Sequence, residues 1–308
     1  MATRPFPVNP VLTAVALAYR NPDISLIAND VLPLTPAHQE FKWLKYDLGA
    51  GFTVPDVKVG RKSYPTEVEF TATEQIDKTV DYGLDDFIPN EDLDADNQGI
   101  DPRGTATGYL TNLIMLAREI RVANLVFNAA SYTNTTTLSG TSQWSDQANS
   151  DPVKAIGDIL DIPIYRPNTA TFGQATWTSL RRHPKLVQAI KGTAQGAGMV
   201  SRQEFADFFE LQNVFVGAGF VNTARKGQTV ATSRVWGKHA SFIYRDRGAG
   251  PQAGVTFGFT AQFGGRIAGN LVDQKRGLTG GEIIRVGERV KEVVAAPDLG
   301  YFIQNAVA

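Results

Sequence analysis

The sequence predicts an α+β protein from three patterns that follow one another along its 308 residues. Apolar and polar residues alternate as in strands from Phe41 to Tyr82, a long helical pattern covers Thr105 to Ala130, and short strands and helices are mixed from Asp151 onward. At this length we expect two structural units or one elaborated unit.

The composition excludes several classes of protein and of chemistry. With 43% hydrophobic and 20% charged residues, the chain is typical of an ordered globular protein and not of a disordered or coiled-coil one. The absence of cysteine removes disulfides, thiolate catalysis, Cys-ligated zinc and iron-sulfur clusters. No segment approaches the roughly 18 to 20 apolar residues of a membrane span, so no membrane partner is expected.

The net charge of -1 hides a polar distribution along the chain. Residues 1–104 carry 9 basic and 17 acidic groups (-8), residues 105–224 carry 9 and 8 (+1), and residues 225–308 carry 12 and 6 (+6). Such asymmetry indicates either pairing within one chain or head-to-tail pairing between copies, and we favour the second as the sharper hypothesis.

The N-terminal segment predicts a short helix. Asn9 is a natural N-cap and Pro10 suits the first helical position. The expected apolar stripe of this helix consists of Val11, Val15 and Tyr19.

The strand-like region predicts a long hairpin whose strands include Val57, Val59, Val68 and Phe70. Its tip, residues 60–65, is rich in turn formers and basic groups. Because two strands cannot bury an apolar face alone, something else must cover this hairpin.

A strongly acidic stretch follows from Asp77 to Asp101. The spacing of Asp92, Asp94 and Asp96 resembles a calcium loop, but residue 97 is Asn where the turn needs Gly and residue 103 is Arg where a bidentate Glu belongs. We therefore expect a solvated acidic loop, with Asp101 capping the next helix.

The long helix from Thr105 to Ala130 is apolar on more than one face, so we expect its own sheet or a neighbouring subunit to cover it. Only Arg118, Glu119 and Arg121 interrupt its middle. A connector rich in Ser, Thr and Asn follows over residues 131–150, where we place a domain boundary.

No motif for catalysis or for cofactor binding stands out. His38, His183 and His239 lie far apart, no Gly-x-Ser-x-Gly elbow occurs, and Gly217-Ala218-Gly219 lacks the third glycine of a dinucleotide fingerprint. We predict no enzyme activity and no catalytic, cofactor-binding or metal-ligating residue. The basic strings at residues 181–183 and 245–247 are interpreted as surface or intersubunit salt-bridge clusters.

The order of these parts resembles the major capsid protein of tailed double-stranded-DNA bacteriophages, the Hong Kong phage-type capsid fold. The shared order is a short arm, an extended β-hairpin loop, a long spine helix, a polar connector, a compact α/β domain and a returning strand system. Three strings are similar to that family, namely IYRPNTATFGQATWTSLRRHPKLVQAI, KHASFIYRDRG and RVGERVKEVVAAPDLGYFIQNAV.

The resemblance implies four regions. They are an N-terminal arm at 1–38, an extended loop at 39–78, a peripheral domain at 79–150 and 256–292 with its spine helix at 105–130, and an axial α/β domain at 151–255 and 293–308.

The resemblance also implies a function and partners. Copies would assemble as pentamers and hexamers into an icosahedral head shell enclosing the phage genome, within the virion and assembled in the host cytoplasm. The implied partners are the chain itself, portal and scaffolding or decoration proteins, and double-stranded DNA bound without sequence specificity. No cofactor is implied. Some relatives crosslink a loop lysine to a neighbour's asparagine, but we predict no such crosslink.

Candidate intersubunit contacts lie on the extended loop, the long helix and the basic string; they are Lys58, Arg61, Lys62, Tyr64, Glu67, Glu69, Arg118, Glu119, Arg121, Arg181 and Arg182. Two alternatives stay open. One is an encapsulin-like nanocompartment with the same fold, and the other is a β-rich carbohydrate-binding or adhesion protein, which would present exposed aromatic platforms.

Overall fold

The structure is a computed structural model that describes residues 7–18, 26–46, 52–68, 72–94, 101–192, 196–225, 227–246, 248 and 254–308. In chain order, helices α1 to α8 are Pro10–Ala18, Ala28–Val31, Asn90–Asp94, Pro102–Val126, Pro152–Leu160, Gln174–Leu180, Pro184–Lys191 and Arg202–Phe209. Strands β1 to β14 are Leu34–Pro36, Glu40–Tyr46, Ala72–Lys78, Val80–Pro89, Asn134–Thr137, Thr169–Gly173, Asn213–Gly217, Phe220–Asn222, Thr232–Arg234, Ala240–Ile243, Gly258–Gln262, Ile267–Asp273, Gly281–Val294 and Gly300–Gln304.

The first sheet is organised by the long strand β13. Along one edge β13 pairs antiparallel with β4, from Gly281 opposite Pro89 to Val290 opposite Val80. Along the other edge it pairs antiparallel with β12 and then with β11, to which β1 adds in parallel. A single strand thus joins segments from both ends of the sequence.

The second sheet has the order β5-β14-β10-β6-β7. The last strand β14 lies parallel to β5 and antiparallel to β10, and β6 runs parallel to β7. Its core is closed by helices that contribute Ile156, Trp177, Leu186 and Phe205, all at most 2% exposed. The second sheet and its helices therefore form a mixed unit to which the connector contributes β5.

Helix α4 packs against β13 and reaches both halves of the molecule. Leu110 and Ile114 on its first half lie in one core cluster with Ile284 and Val286 of β13. Val122, Ala123 and Val126 on its second half join a separate cluster that includes Trp236, Phe257 and Phe302. The chain's own sheets thus cover part of the apolar surface of the helix, and Tyr109 stays 61% exposed.

The predicted N-caps of three helices are confirmed. The Asn9 side chain accepts a hydrogen bond from the Val11 amide at 2.9 Å. Asp101 caps α4 through the Arg103 amide at 3.0 Å, and Asp151 caps α5 through the Lys154 amide at 3.1 Å. Each cap is followed by proline in the first turn, where its missing N–H costs nothing.

Other predictions about these elements are corrected, because they depend on tertiary packing, which the local sequence pattern does not show. The buried face of α1 is Leu12 and Ala16, whereas Val11 is exposed. Helix α4 ends at Val126, and residues 129–131 form a separate 3-10 turn. The polar connector holds the buried Trp144 and strand β5. Strand β13 runs from Gly281 to Val294 and so spans the position of the boundary expected at residue 292, which stays a prediction.

One buried histidine makes this packing sensitive to pH. The His183 side chain is fully buried between α6 and α7, with Nε2 3.0 Å from Ser150 Oγ. Burial lowers the pKa of His183, nearby Lys185 lowers it further, and the Asp151 and Asp146 carboxylates oppose the shift.

We predict that the unassembled subunit loses stability as the pH falls below about 6.5, the ordinary histidine pKa, because the unfolded chain then binds a proton that the folded chain resists. His183→Gln should reduce the difference between thermal midpoints measured at about pH 7 and about pH 5. His38→Gln, at an exposed position, is the control. An unchanged difference in His183→Gln would contradict this account.

Candidate subunit interface

The sequence-predicted contact residues fall into three groups: charges on α4, the extended loop and the basic string that ends α6. The three groups differ in their exposure to solvent and in their partners within the subunit.

The charges of α4 are engaged inside the subunit. Arg118 is 2% exposed and forms a two-pronged ion pair with Glu288 of β13, with Nε 3.1 Å from Oε1. Arg266 approaches the same carboxylate at 3.3 Å, and Asn29 accepts a hydrogen bond from Arg118 at 2.8 Å. A buried carboxylate shared by two arginines is compensated in charge, as burial requires.

Glu119 lies in the interior beside this cluster, with a side chain that is 0% exposed. Its carboxylate accepts hydrogen bonds from the Ile27 amide at 3.0 Å, from the Ala28 amide at 2.8 Å and from the Trp236 indole. Burial raises the pKa of Glu119, and these three hydrogen bonds oppose the rise. Arg118 and Glu119 are therefore not the intersubunit contacts that the sequence predicts, because both side chains are buried and have their partners within their own subunit.

Arg121 occupies the rim of the same cluster. Its Nε donates to Glu292 at 3.0 Å, and its guanidinium lies 3.7 Å from the centroid of the Tyr82 ring. The side chain is partly exposed but already holds partners on β13 and β4.

The acidic stretch and the basic C-terminal segment meet within one chain. Along paired strands β4 and β13, Asp85 binds Arg285 at 2.6 Å and Asp81 lies 3.2 Å from Arg289. Asp77 of β3 lies 3.6 Å from Lys291. Pairing within the chain therefore accounts for much of the charge asymmetry, and the expectation of head-to-tail pairing is wrong for these residues.

The extended loop has a base of two paired strands and an outer part, residues 52–68, without strand pairing. Strands β2 and β3 pair from Glu40 opposite Lys78 to Tyr46 opposite Ala72. Residues 52–68 contain no strand, so the predicted strands at 57–59 and at 68 are wrong, and Phe70 lies outside the described residues. A turn closed by the Ser63 amide on the Gly60 carbonyl at 3.0 Å shapes the tip.

Most side chains on this outer part are turned to solvent, whereas the Phe52 ring lies 6.2 Å from the ring of Tyr165. Tyr64 is 96% exposed and Val54 is 82% exposed. The loop candidates Lys58, Arg61, Lys62 and Glu67 are exposed as well, and Glu69 lies outside the described residues. The loop therefore presents basic, acidic and apolar groups together on one projecting segment.

The basic string ends α6. Arg182 is exposed and its Nε donates to the Thr178 carbonyl at 3.0 Å, while Arg181 is partly buried. Both belong to the surface of the second sheet's helical layer.

A basic surface that no motif in the sequence indicates lies after β7. Residues 211–245 contain no Asp or Glu, yet they include Arg225, Lys226 and Arg234. Strands β8 and β9 form a hairpin there, with Phe220 opposite Arg234. The missing carboxylates were the signal that could have found this basic surface.

An aromatic platform or a metal centre would require exposed tryptophans or clustered acidic and histidine side chains. All four tryptophans, Trp43, Trp144, Trp177 and Trp236, are buried, so they form no exposed platform of the kind a carbohydrate-binding protein would present. Within the described residues, no group of three or more His, Asp or Glu side chains is placed to hold a metal ion. No helix in that part of the chain has the length and apolar character to cross a membrane.

A comparison with known proteins decides the family. The major capsid protein of Pseudomonas phage JBD67 is 52% identical to this chain over 311 residues, which cover 100% of both. The chain belongs to the phage major capsid protein family. The family Phage major capsid protein E matches residues 127–236 of this capsid protein.

Solved structures share the fold of the capsid protein. A phage-related protein of Bordetella bronchiseptica RB50 is 22% identical, with a TM-score of 0.75 and 97% of each chain covered. The capsid structure of Cyanophage P-SCSP1u is 10% identical, with a TM-score of 0.58 over 99% of this chain and 92% of that one. The family predicted from the sequence is confirmed, and the protein is a structural component of the phage particle.

We predict that Glu288→Gln lowers the free energy of unfolding of the capsid subunit by about 3–5 kcal/mol, because Arg118 and Arg266 would keep their charge without a buried partner. Asp85→Asn breaks a more exposed pair with Arg285 and should cost less than about 1 kcal/mol. Denaturant unfolding of both variants measures the difference, and equal losses would refute a special role for the buried pair.

Proposed function

We propose that copies of this chain close into an icosahedral shell of pentamers and hexamers around packaged double-stranded DNA. In this proposal residues 1–38 are the arm, 39–78 the extended loop, 79–150 and 256–292 the peripheral domain, and 151–255 with 293–308 the axial domain. Helix α4 serves as the spine of the peripheral domain.

The exposed outer part of the extended loop is the observation that carries this proposal. Val54, Val57 and Val68 leave most of their apolar surface in water, although each such side chain gains roughly 1.5 kcal/mol or more when buried. Within its own subunit the loop is held mainly at its base, where Phe41 and Trp43 pack against Phe259 and Val293. A neighbouring subunit would supply the cover that the loop's own chain does not.

The loop also carries the charged groups that would fix its position on a neighbour. Lys58, Arg61, Lys62 and Tyr64 surround the tip, and Glu67 follows on the returning segment. Arg181 and Arg182 offer a second basic contact on a different part of the subunit. Each contact need be only modest, because a subunit in a closed shell is held by several partners at once.

The remaining partners follow from the same assembly. Portal, scaffolding or decoration proteins would complete the particle, and DNA would be enclosed without sequence-specific binding. A chain of net charge -1 does not bind phosphate tightly as a whole, which suits a wall around a genome that must later leave. Assembly would take place in the host cytoplasm.

Deleting residues 60–64 tests the role of the loop. We expect a folded subunit, by circular dichroism and thermal unfolding, that gives few or no closed shells in electron micrographs, because the tip contacts a neighbour and not its own core. The length-preserving variant R61S/K62S/Y64S should show the same defect to a lesser degree. Shells formed at the level of the unaltered protein by the deletion variant would exclude this role for the loop tip.

A further inference from the structure

A basic hairpin projects from the second sheet at one end of β7. We define the basic hairpin as residues 218–235, which hold β8 and β9 and follow β7 directly. It is anchored by Trp236, which is buried beside Glu119 and fills the space that Gly217 leaves by having no side chain. Val235 also packs against the core, and strands β8 and β9 lie mostly exposed.

The hairpin combines apolar and basic groups on an exposed surface. Val230 is 68% exposed, and Phe220 is half exposed with the Arg234 guanidinium 4.4 Å from its ring centroid. Arg225 is exposed, and Lys226 lies outside the described residues. Elsewhere in the basic C-terminal segment Arg266, Arg276, Arg285, Arg289 and Lys291 are paired with carboxylates of the same chain. The hairpin contributes the basic charge that this internal pairing does not use.

The opposite end of the same strands carries a complementary surface. The turn before β6 exposes Ile162 and Ile164, and the end of α8, just before β7, exposes Phe208. Asp161, Asp207 and Glu210 flank these apolar side chains. Arg166 bridges the two segments, 2.7 Å from Asp161 and 3.6 Å from Glu210, which leaves an acidic excess. We call this surface the acceptor end, defined by residues 161–164 and 207–210.

An open cavity deepens the acceptor end. It has a volume of about 470 Å³ and is lined by Asn168, Gln212, Asn213, Tyr244, Arg245 and Asp246. The Tyr244 ring lies 5.2 Å from that of Tyr165, which joins the cavity to the exposed turn before β6. The cavity is lined by amide and carboxylate groups and by Arg245, and the Asn168 side-chain oxygen already accepts hydrogen bonds from the Arg245 amide and the Thr169 hydroxyl.

The two surfaces lie at opposite ends of parallel strands. The acceptor end precedes β6 and β7, whereas the basic hairpin leaves the carboxyl end of β7. Five residues of strand separate these ends by about 17 Å. Different patches that match each other on one subunit form heterologous contacts, which generate rings when the rotation closes.

We propose that the basic hairpin of one copy binds the acceptor end of the next copy around a ring, with Phe220 and Val230 against Ile162, Ile164 and Phe208, and with Arg225 and Arg234 facing Asp207 and Glu210. This inference rests on the proposed function, since it names the surfaces that close its pentamers and hexamers. A second copy fits better than a nucleic acid because each patch pairs apolar groups with charge, and phosphate backbones offer no apolar partner.

Charge reversal tests the contact. R225E/R234E and D207K/E210K should each fold but reduce the yield of rings and shells at least tenfold, and all four changes in one chain should restore both. Arg202→Glu, at the other end of α8, is the control for reversing a basic charge and should assemble like the unaltered protein. Asp161 is kept, so that Arg166 retains its partner.

Mixing the two double variants sharpens the test. Copies that alternate around a six-membered ring place every reversed hairpin on a reversed acceptor end, whereas a five-membered ring must include a like-charge contact. The mixture should therefore recover six-membered rings and not five-membered ones in electron micrographs.

Three outcomes would overturn the inference. One is normal shells from R225E/R234E, which would leave the proposed function intact. Another is assembly lost in both double variants and not restored by the fourfold change. The third is that R225E/R234E assembles normally but loses binding to a DNA duplex, which would make the hairpin a nucleic-acid surface. Failure of the unaltered protein to form shells would instead count against the proposed function.

Discussion

The pairing of Arg118 with Glu288 joins parts of this subunit that lie far apart in the sequence. The two residues are 170 positions apart, and their contact fixes the long helix α4 on the central strand β13. Arg266 brings β12 to the same carboxylate, and its hydrogen bond to the Ala16 carbonyl at 3.0 Å adds helix α1. Removing these charges from water costs free energy that only their partners compensate. The network therefore stabilises the one arrangement of helix and sheet in which each charge has its partner.

We call this buried network, with the helix and strands it joins, the internal frame. Because it holds the subunit together, the surface is free to form contacts between copies. The acidic side chains of β3 and β4 are matched by Arg285, Arg289 and Lys291 on β13, so much of the charge asymmetry is balanced before any copies meet. Exposed apolar groups remain on the outer part of the extended loop, on the basic hairpin and on the acceptor end. In the proposed assembly, such a subunit folds by its own contacts and would associate through segments that contribute little to its core.

The sequence predicts the order of elements well where local signals determine them. Asp101-Pro102 and Asp151-Pro152 mark the starts of α4 and α5 because capping depends on neighbouring residues only. Alternation of Val57 and Val59 does not produce a strand, because a strand also needs a partner, and local pattern contains no information about one. Charges in the middle of a helix usually face water, so Arg118 and Glu119 were assigned to the surface. Their buried partners, Glu288 and the amides of Ile27 and Ala28, lie far away in the sequence.

Hydrogen exchange followed by mass spectrometry, on unassembled subunits and on assembled shells of the same protein, tests the central claim most directly. The account predicts that α4 and β13 are strongly protected in both states, whereas residues 52–68 and 218–235 gain protection only in the shell. Protection of α4 and β13 that appears only on assembly would contradict it, because the frame would then depend on neighbouring copies and not on the Arg118–Glu288 pair.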